Sequence, residues 1–176
     1  MLAIGVGGMG LQFAAGYTAG LFHLMNHAIF KAAAFMAAGA VIHSCETRFM
    51  DEMGGIRSSM KFTFATMLIS VLALSGVPPF SGFWSKDAIL ATAWETGQLW
   101  LYLIAAVTAT LTFIYSLKIL GWVFLGPKSV HVLKLEQEGV RIHEVRPVMY
   151  VPYLILAVVT IVIGVAGPLI EQALAS

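Results

Sequence analysis

Six ionisable side chains stand inside otherwise apolar stretches of this sequence: His23, His27, Lys31, Lys86, Asp87 and Lys118. The first three are spaced i, i+4, i+8, which places them along one face of a helix. Histidine titrates near neutral pH and can accept on one ring nitrogen while donating from the other. A file of such groups with water between them is what a proton relay requires, and Asn26 lies beside it. Lys86 follows the run Ser75-Gly76-Val77-Pro78-Pro79-Phe80-Ser81-Gly82 by a few residues. A lysine removed from water can release its proton near neutral pH, and an adjacent carboxylate such as Asp87 would hold it protonated. Lys118, about two turns before Leu125, can extend the relay if it faces inward or snorkel to the membrane surface if it does not.

Simpler roles exist for the same residues. Two histidines four apart can bind zinc, but His23-Leu24-Met25-Asn26-His27 lacks the glutamate of the HExxH pattern and has no evident third ligand. Interhelical hydrogen bonding would also use them, although a charged Lys31 is a costly adhesive. His43 is expected to cap the end of its helix. Cys45 is the single cysteine, so neither a disulfide within the chain nor a cysteine metal cluster is expected.

The elements that carry these groups read as membrane spans. Of the 176 residues, 59% are hydrophobic and 11% charged, and mean hydropathy is +0.87. A soluble domain carries about a quarter charged residues. A transmembrane helix needs roughly 20 mostly apolar residues. Spans are predicted near 1–15, 17–44, 61–96 with a break at 76–82, 99–125 and 147–170, forming one transmembrane domain. The result is an all-α integral membrane bundle of about five helices, one of them discontinuous. The net charge of +1, without a basic stripe, argues against a nucleic-acid partner. The first span begins without a flanking loop or a basic signal-peptide region, which suggests a piece of a larger or split subunit.

The interrupted segment decides the topology. If 61–96 is one broken span, the loops 45–60 and 126–146 share a side with Arg48, Arg57, Lys61, Lys128, Lys134, Arg141 and Arg146, and the opposite side has no basic residue. If it is two spans, that asymmetry vanishes. The excess of lysine and arginine on cytoplasmic loops favours one broken span with both loops cytoplasmic. Gly76, Pro78, Pro79 and Gly82 supply the break, because prolines remove backbone donors and glycines loosen the helix. Irregular backbone at membrane depth survives only against protein or a watery cavity, and half-helix ends there form ion sites in transporters.

The run His23-Leu24-Met25-Asn26-His27-Ala28-Ile29-Phe30-Lys31-Ala32, then Met53-Gly54-Gly55-Ile56, then Gly76-Val77-Pro78-Pro79-Phe80-Ser81-Gly82-Phe83-Trp84-Ser85-Lys86-Asp87, resembles the antiporter-like subunit L of respiratory complex I. The resemblance covers about residues 1–126. It implies a proton-translocating subunit of an NADH-quinone oxidoreductase in a cell (inner or cytoplasmic) membrane. Partner subunits would handle the electrons and quinone, and this chain would bind no cofactor or metal. His23, His27 and Lys31 would belong to the central hydrophilic axis, and Lys86 with Asp87 to the exit half. Subunit L has further helices before these motifs and a lateral helix after them, so the chain is expected to correspond to the second half of the antiporter fold. Multisubunit sodium–proton antiporters and membrane-bound hydrogenases share the motifs and are the alternative, as is a structural scaffold subunit. In the family the antiporter branch carries glutamate after the lysine, so Ser85-Lys86-Asp87 favours the respiratory branch.

Overall fold

A computed structural model describes residues 13–95, 97 and 99–170, with side chains from residue 17 onward. The span expected over 1–15 lies outside the described residues apart from its last three, which belong to the first helix. That helix, α1, runs Phe13–Cys45. Two single 3-10 turns, Met50–Glu52 and Ile56–Ser58, lead to α2, Lys61–Ser75. After the break come α3, Ser81–Glu95, and α4, Leu99–Leu120, which ends in a π-helical turn at Gly121–Leu125. A short α5, Val130–Gln137, and α6, Pro147–Val165, complete the bundle.

The stretches Tyr17–Cys45, Leu99–Gln137 and Pro147–Val165 are long and apolar enough to cross a membrane. Their outward faces carry exposed aliphatic residues, including Leu103, Val107, Leu111 and Ile114 on α4 and Val158, Val162 and Val165 on α6. A continuous apolar exterior of this kind suits lipid or neighbouring membrane helices. The chain is a multi-pass, all-helical membrane protein.

The halves α2 and α3 continue in one direction. At one end of the bundle, Thr63 near the start of α2 meets Tyr153 near the start of α6 at 2.7 Å. At the break, Gly164 near the end of α6 lies against the backbone of Pro79, Phe80 and Ser81. Beyond the break, the Trp84 indole donates to the Gly164 carbonyl at 2.8 Å. Thus α6 accompanies α2, then the break, then the start of α3, while α1 runs the opposite way and meets α3 through its own early residues. α2 and α3 are the two halves of one interrupted helix.

The two loops therefore share an end. The Ser44 hydroxyl donates to the His143 carbonyl at 2.7 Å, and His131 bonds the Cys45 carbonyl at 3.0 Å. The role of capping α1 falls to His131, not to His43, which is exposed. Gly54 and Gly55, with φ of +152° and +63°, let the first loop close onto Gly126-Pro127-Lys128, where a Cβ on Gly54 would overlap the Pro127 carbonyl. The main apolar core sits at this end, built from Val41, Met60, Val71, Phe124 and Tyr153 among others. A smaller cluster, Phe30, Ala73 and Leu74 with Phe80 against it, packs the break.

Candidate proton-transfer site

The break is built by specific backbone bonds. Gly76, at φ +77°, closes α2 with its N–H on the Ala73 carbonyl at 3.1 Å, and the Val77 N–H reaches the Leu72 carbonyl at 3.0 Å. This is a Schellman closure, which satisfies two of the carbonyls a helix end leaves over. The Leu74 carbonyl would ordinarily receive the N–H four residues on, but that residue is Pro78, which has none. The free oxygen also lies at the C-terminal, partially negative end of α2. Lys86 fills the position: its ammonium donates to the Leu74 carbonyl at 2.5 Å, and the side chain is 7% exposed.

Gly82, placed by its sequence in the break, instead belongs to the first turn of α3. Its contribution is closeness, since a Cβ there would overlap the Ala73 carbonyl and force the half-helices apart. The irregular stretch is Gly76–Phe80, and Pro78 and Pro79 are exposed.

One residue before Lys86, Ser85 is fully buried and bonds His23 Nδ1 at 3.0 Å. The Ser85 hydroxyl also donates to the Gly82 carbonyl at 3.3 Å. A hydroxyl has one proton, so His23 holds its own on Nδ1 and donates it to Ser85. The rings of His23 and His27 are 5.7 Å apart, and His27 lies edge-on to Phe30 at 5.4 Å. His23 and Asn26 are buried, whereas His27 and Lys31 are half-buried. Lys31 leans over the exposed ring of Phe35, 5.6 Å from its centroid. The structure thus joins His23 and His27 to the break through Ser85, and places Lys31 toward the bundle exterior.

Two expected roles do not form. Asp87 makes no ion pair with Lys86; neighbouring residues on a helix point about 100° apart, and Asp87 is exposed while Lys86 turns inward. Lys118 is exposed on the outer face of α4, its ammonium 4.7 Å from the centre of the Trp122 ring one turn later. That is a cation over an aromatic ring, with no contact to the file. Among the described residues, no group of three or more histidine, cysteine or acidic side chains is arranged for a metal.

A second polar node sits at the loop end. Glu144 accepts from the Phe62 N–H at 2.7 Å, the Thr63 N–H at 3.2 Å and the Thr63 hydroxyl, with the Tyr153 hydroxyl 3.4 Å away. It caps α2 from a remote loop, where a carboxylate is favoured by the orphan N–H groups and the helix dipole. Neither Ser85 nor this node stood out in the sequence. Pro78 four residues after Leu74 was the readable sign of a free acceptor, and the pairings with His23 and Glu144 span 62 and more than 80 residues.

A buried cation on a half-helix end, a bonded histidine and serine beside it, and a bundle of apolar helices are features in keeping with a membrane subunit of the antiporter-like class. Residues 2–112 match the transmembrane family described as NADH:quinone oxidoreductase/Mrp antiporter, and the chain belongs to that family. Among its relatives is the Na(+)/H(+) antiporter subunit A1 of Staphylococcus saprophyticus, 36% identical over 98% of this chain and 24% of that protein. The subunit A1 of Staphylococcus aureus is 39% identical over 86% of this chain and 20% of that protein. The chain thus spans about a quarter of the length of these relatives. In structure it is similar to a chain of the Mrp complex from Dietzia sp., with TM-score 0.81 and 26% identity over 96% of this chain and 38% of that one. A chain of an archaeal membrane-bound sulfane sulfur reductase shares the fold, with TM-score 0.80 over 92% of this chain and 26% of that one.

Proposed function

We propose that this chain is the proton-handling part of an antiporter-like subunit, with His23, His27 and Lys86 as the groups that carry the proton. One observation bears most of the weight: Lys86 is buried on a main-chain carbonyl, without a carboxylate partner among the described residues, one residue from the serine that holds His23. A buried lysine without an ion pair is sensitive to any neighbouring charge. A charge change along the file would therefore move the proton between Lys86, His23, His27 and water.

The likeness to sodium–proton antiporter subunits supports exchange of sodium for protons in a multisubunit membrane assembly. The second reading, a subunit of a quinone oxidoreductase whose partners handle quinone, is favoured by the Ser85-Lys86-Asp87 ending. The basic residues of the loops 45–60 and 126–146 support a cytoplasmic side for that end of the bundle.

The test is reconstitution of the purified parent assembly in vesicles with a pH-sensitive dye. Lys86→Ala should abolish proton movement in an assembly that still forms. Sodium-driven proton movement without quinone reduction selects the antiporter, and quinone-driven movement the dehydrogenase. Wild-type transport by Lys86→Ala would leave Lys86 as a helix-holding group and overturn the proposal.

A further inference from the structure

Three of the buried residues on α2 are hydroxylic, Thr63, Thr66 and Ser70, and each is 1% exposed or less. Their spacing of i, i+3, i+7 draws one stripe along the helix, and one turn beyond Ser70 the Leu74 carbonyl holds the Lys86 ammonium. At the other end of the stripe, Thr63 is joined to Tyr153 and Glu144 beside the basic loops. From Thr63 to Leu74 the helix rises about 16 Å.

The middle of the stripe is unpaired. The hydroxyl oxygens of Thr66 and Ser70 have no hydrogen-bond partner, and neither do those of Ser75 at the break and the fully buried Ser116 on the adjoining α4. Serine and threonine inside helices usually bond the carbonyl four residues back, as Thr92, Thr112 and Thr160 do here. Thr66 and Ser70 leave that option unused. Buried hydroxyls without protein partners are where ordered water binds.

We propose that Glu144, Tyr153, Thr63, Thr66 and Ser70 line a water-bearing proton branch that connects the loop end of the bundle with Lys86. Along it each hydroxyl or water accepts one proton and releases another, so the net change is one proton moved and no bond outside the hydrogen-bond chain altered. Glu144 is the carboxylate that receives or delivers the proton at the mouth. The branch rests on Lys86 being a proton carrier, and it adds a route along α2 to the file that runs through His23 and His27 on α1.

The experiment compares the shape and the hydroxyl at one position in the reconstituted assembly. Thr66→Val keeps the shape and removes the hydroxyl; Thr66→Ser keeps the hydroxyl and removes a methyl. Thr160→Val removes a buried hydroxyl already bonded within its own helix. The Thr66→Val, Ser70→Ala double variant should slow proton movement after a pH jump on the loop side by about tenfold, one interrupted transfer's worth of barrier. Thr66→Ser and Thr160→Val should run at the wild-type rate. If the double variant equals wild type while Lys86→Ala is dead, the stripe is packing and the branch is wrong, but the proposed function stands. If Thr66→Ser is as slow as Thr66→Val, shape rather than the hydroxyl matters, and the branch again fails. If Lys86→Ala also transports normally, both proposals fall.

Discussion

Replacing Gly76 by alanine perturbs the seat of Lys86 in a way that can be separated from simple destabilisation. Gly76 stands at φ +77°, a left-handed conformation that costs an L-residue roughly 1–2 kcal/mol. An added Cβ would also lie 3.0 Å from Cδ and 3.8 Å from Nζ of Lys86. The lysine stem can shift by a few tenths of an ångström, but only by giving up its short bond to the Leu74 carbonyl. Gly97 provides the matched control: its φ is +69° and a Cβ there meets nothing within 4 Å. Both alanine variants should therefore lose about 1–2 kcal/mol in reversible unfolding from mixed micelles. Only Gly76→Ala should also lose transport, by about tenfold or more, because small misplacements of a reacting group are costly. Equal transport by the two variants would show that the position of the ammonium against Leu74 does not govern the rate.

Three further outcomes follow from the contacts. Ser85→Ala leaves His23 Nδ1 buried without its acceptor, a loss of about 1–3 kcal/mol that unfolding should register together with slower transport. Glu144→Leu strips the cap from α2 and should destabilise the chain by about 1–2 kcal/mol, read as earlier loss of helical circular dichroism on heating. Lys118→Gln should leave transport at the wild-type rate, since that ammonium lies over Trp122 on the outer surface; a transport-dead Lys118→Gln would place it in the file after all.

The helical framework was legible because apolar length is a coarse and strong signal. The Pro78-Pro79 pair announced the break, and the gathering of basic residues on one set of loops gave the direction in which α2 and α3 continue. What could not be read were pairings made by distant backbone. Asp87 is the natural partner of Lys86 along the sequence, yet helical geometry turns the two apart. The partner chosen is a carbonyl twelve residues earlier, delivered by the fold-back at Gly76. Ser85 gains its role only when α1 lies across α3, and Glu144 only when its loop reaches the first turn of α2. Lys118 was ambiguous because hydropathy does not say which side of a helix faces inward.

The acceptor that holds the Lys86 ammonium belongs to the peptide bond, and so it is indifferent to what residue 74 is. Any amino acid at position 74 presents the same oxygen, and a scan of side chains along α2 would pass over it without a trace. Its availability is instead controlled from four residues away. Pro78 replaced by a residue with an N–H would supply a rival donor, and the cation would have to compete for an oxygen it now holds alone.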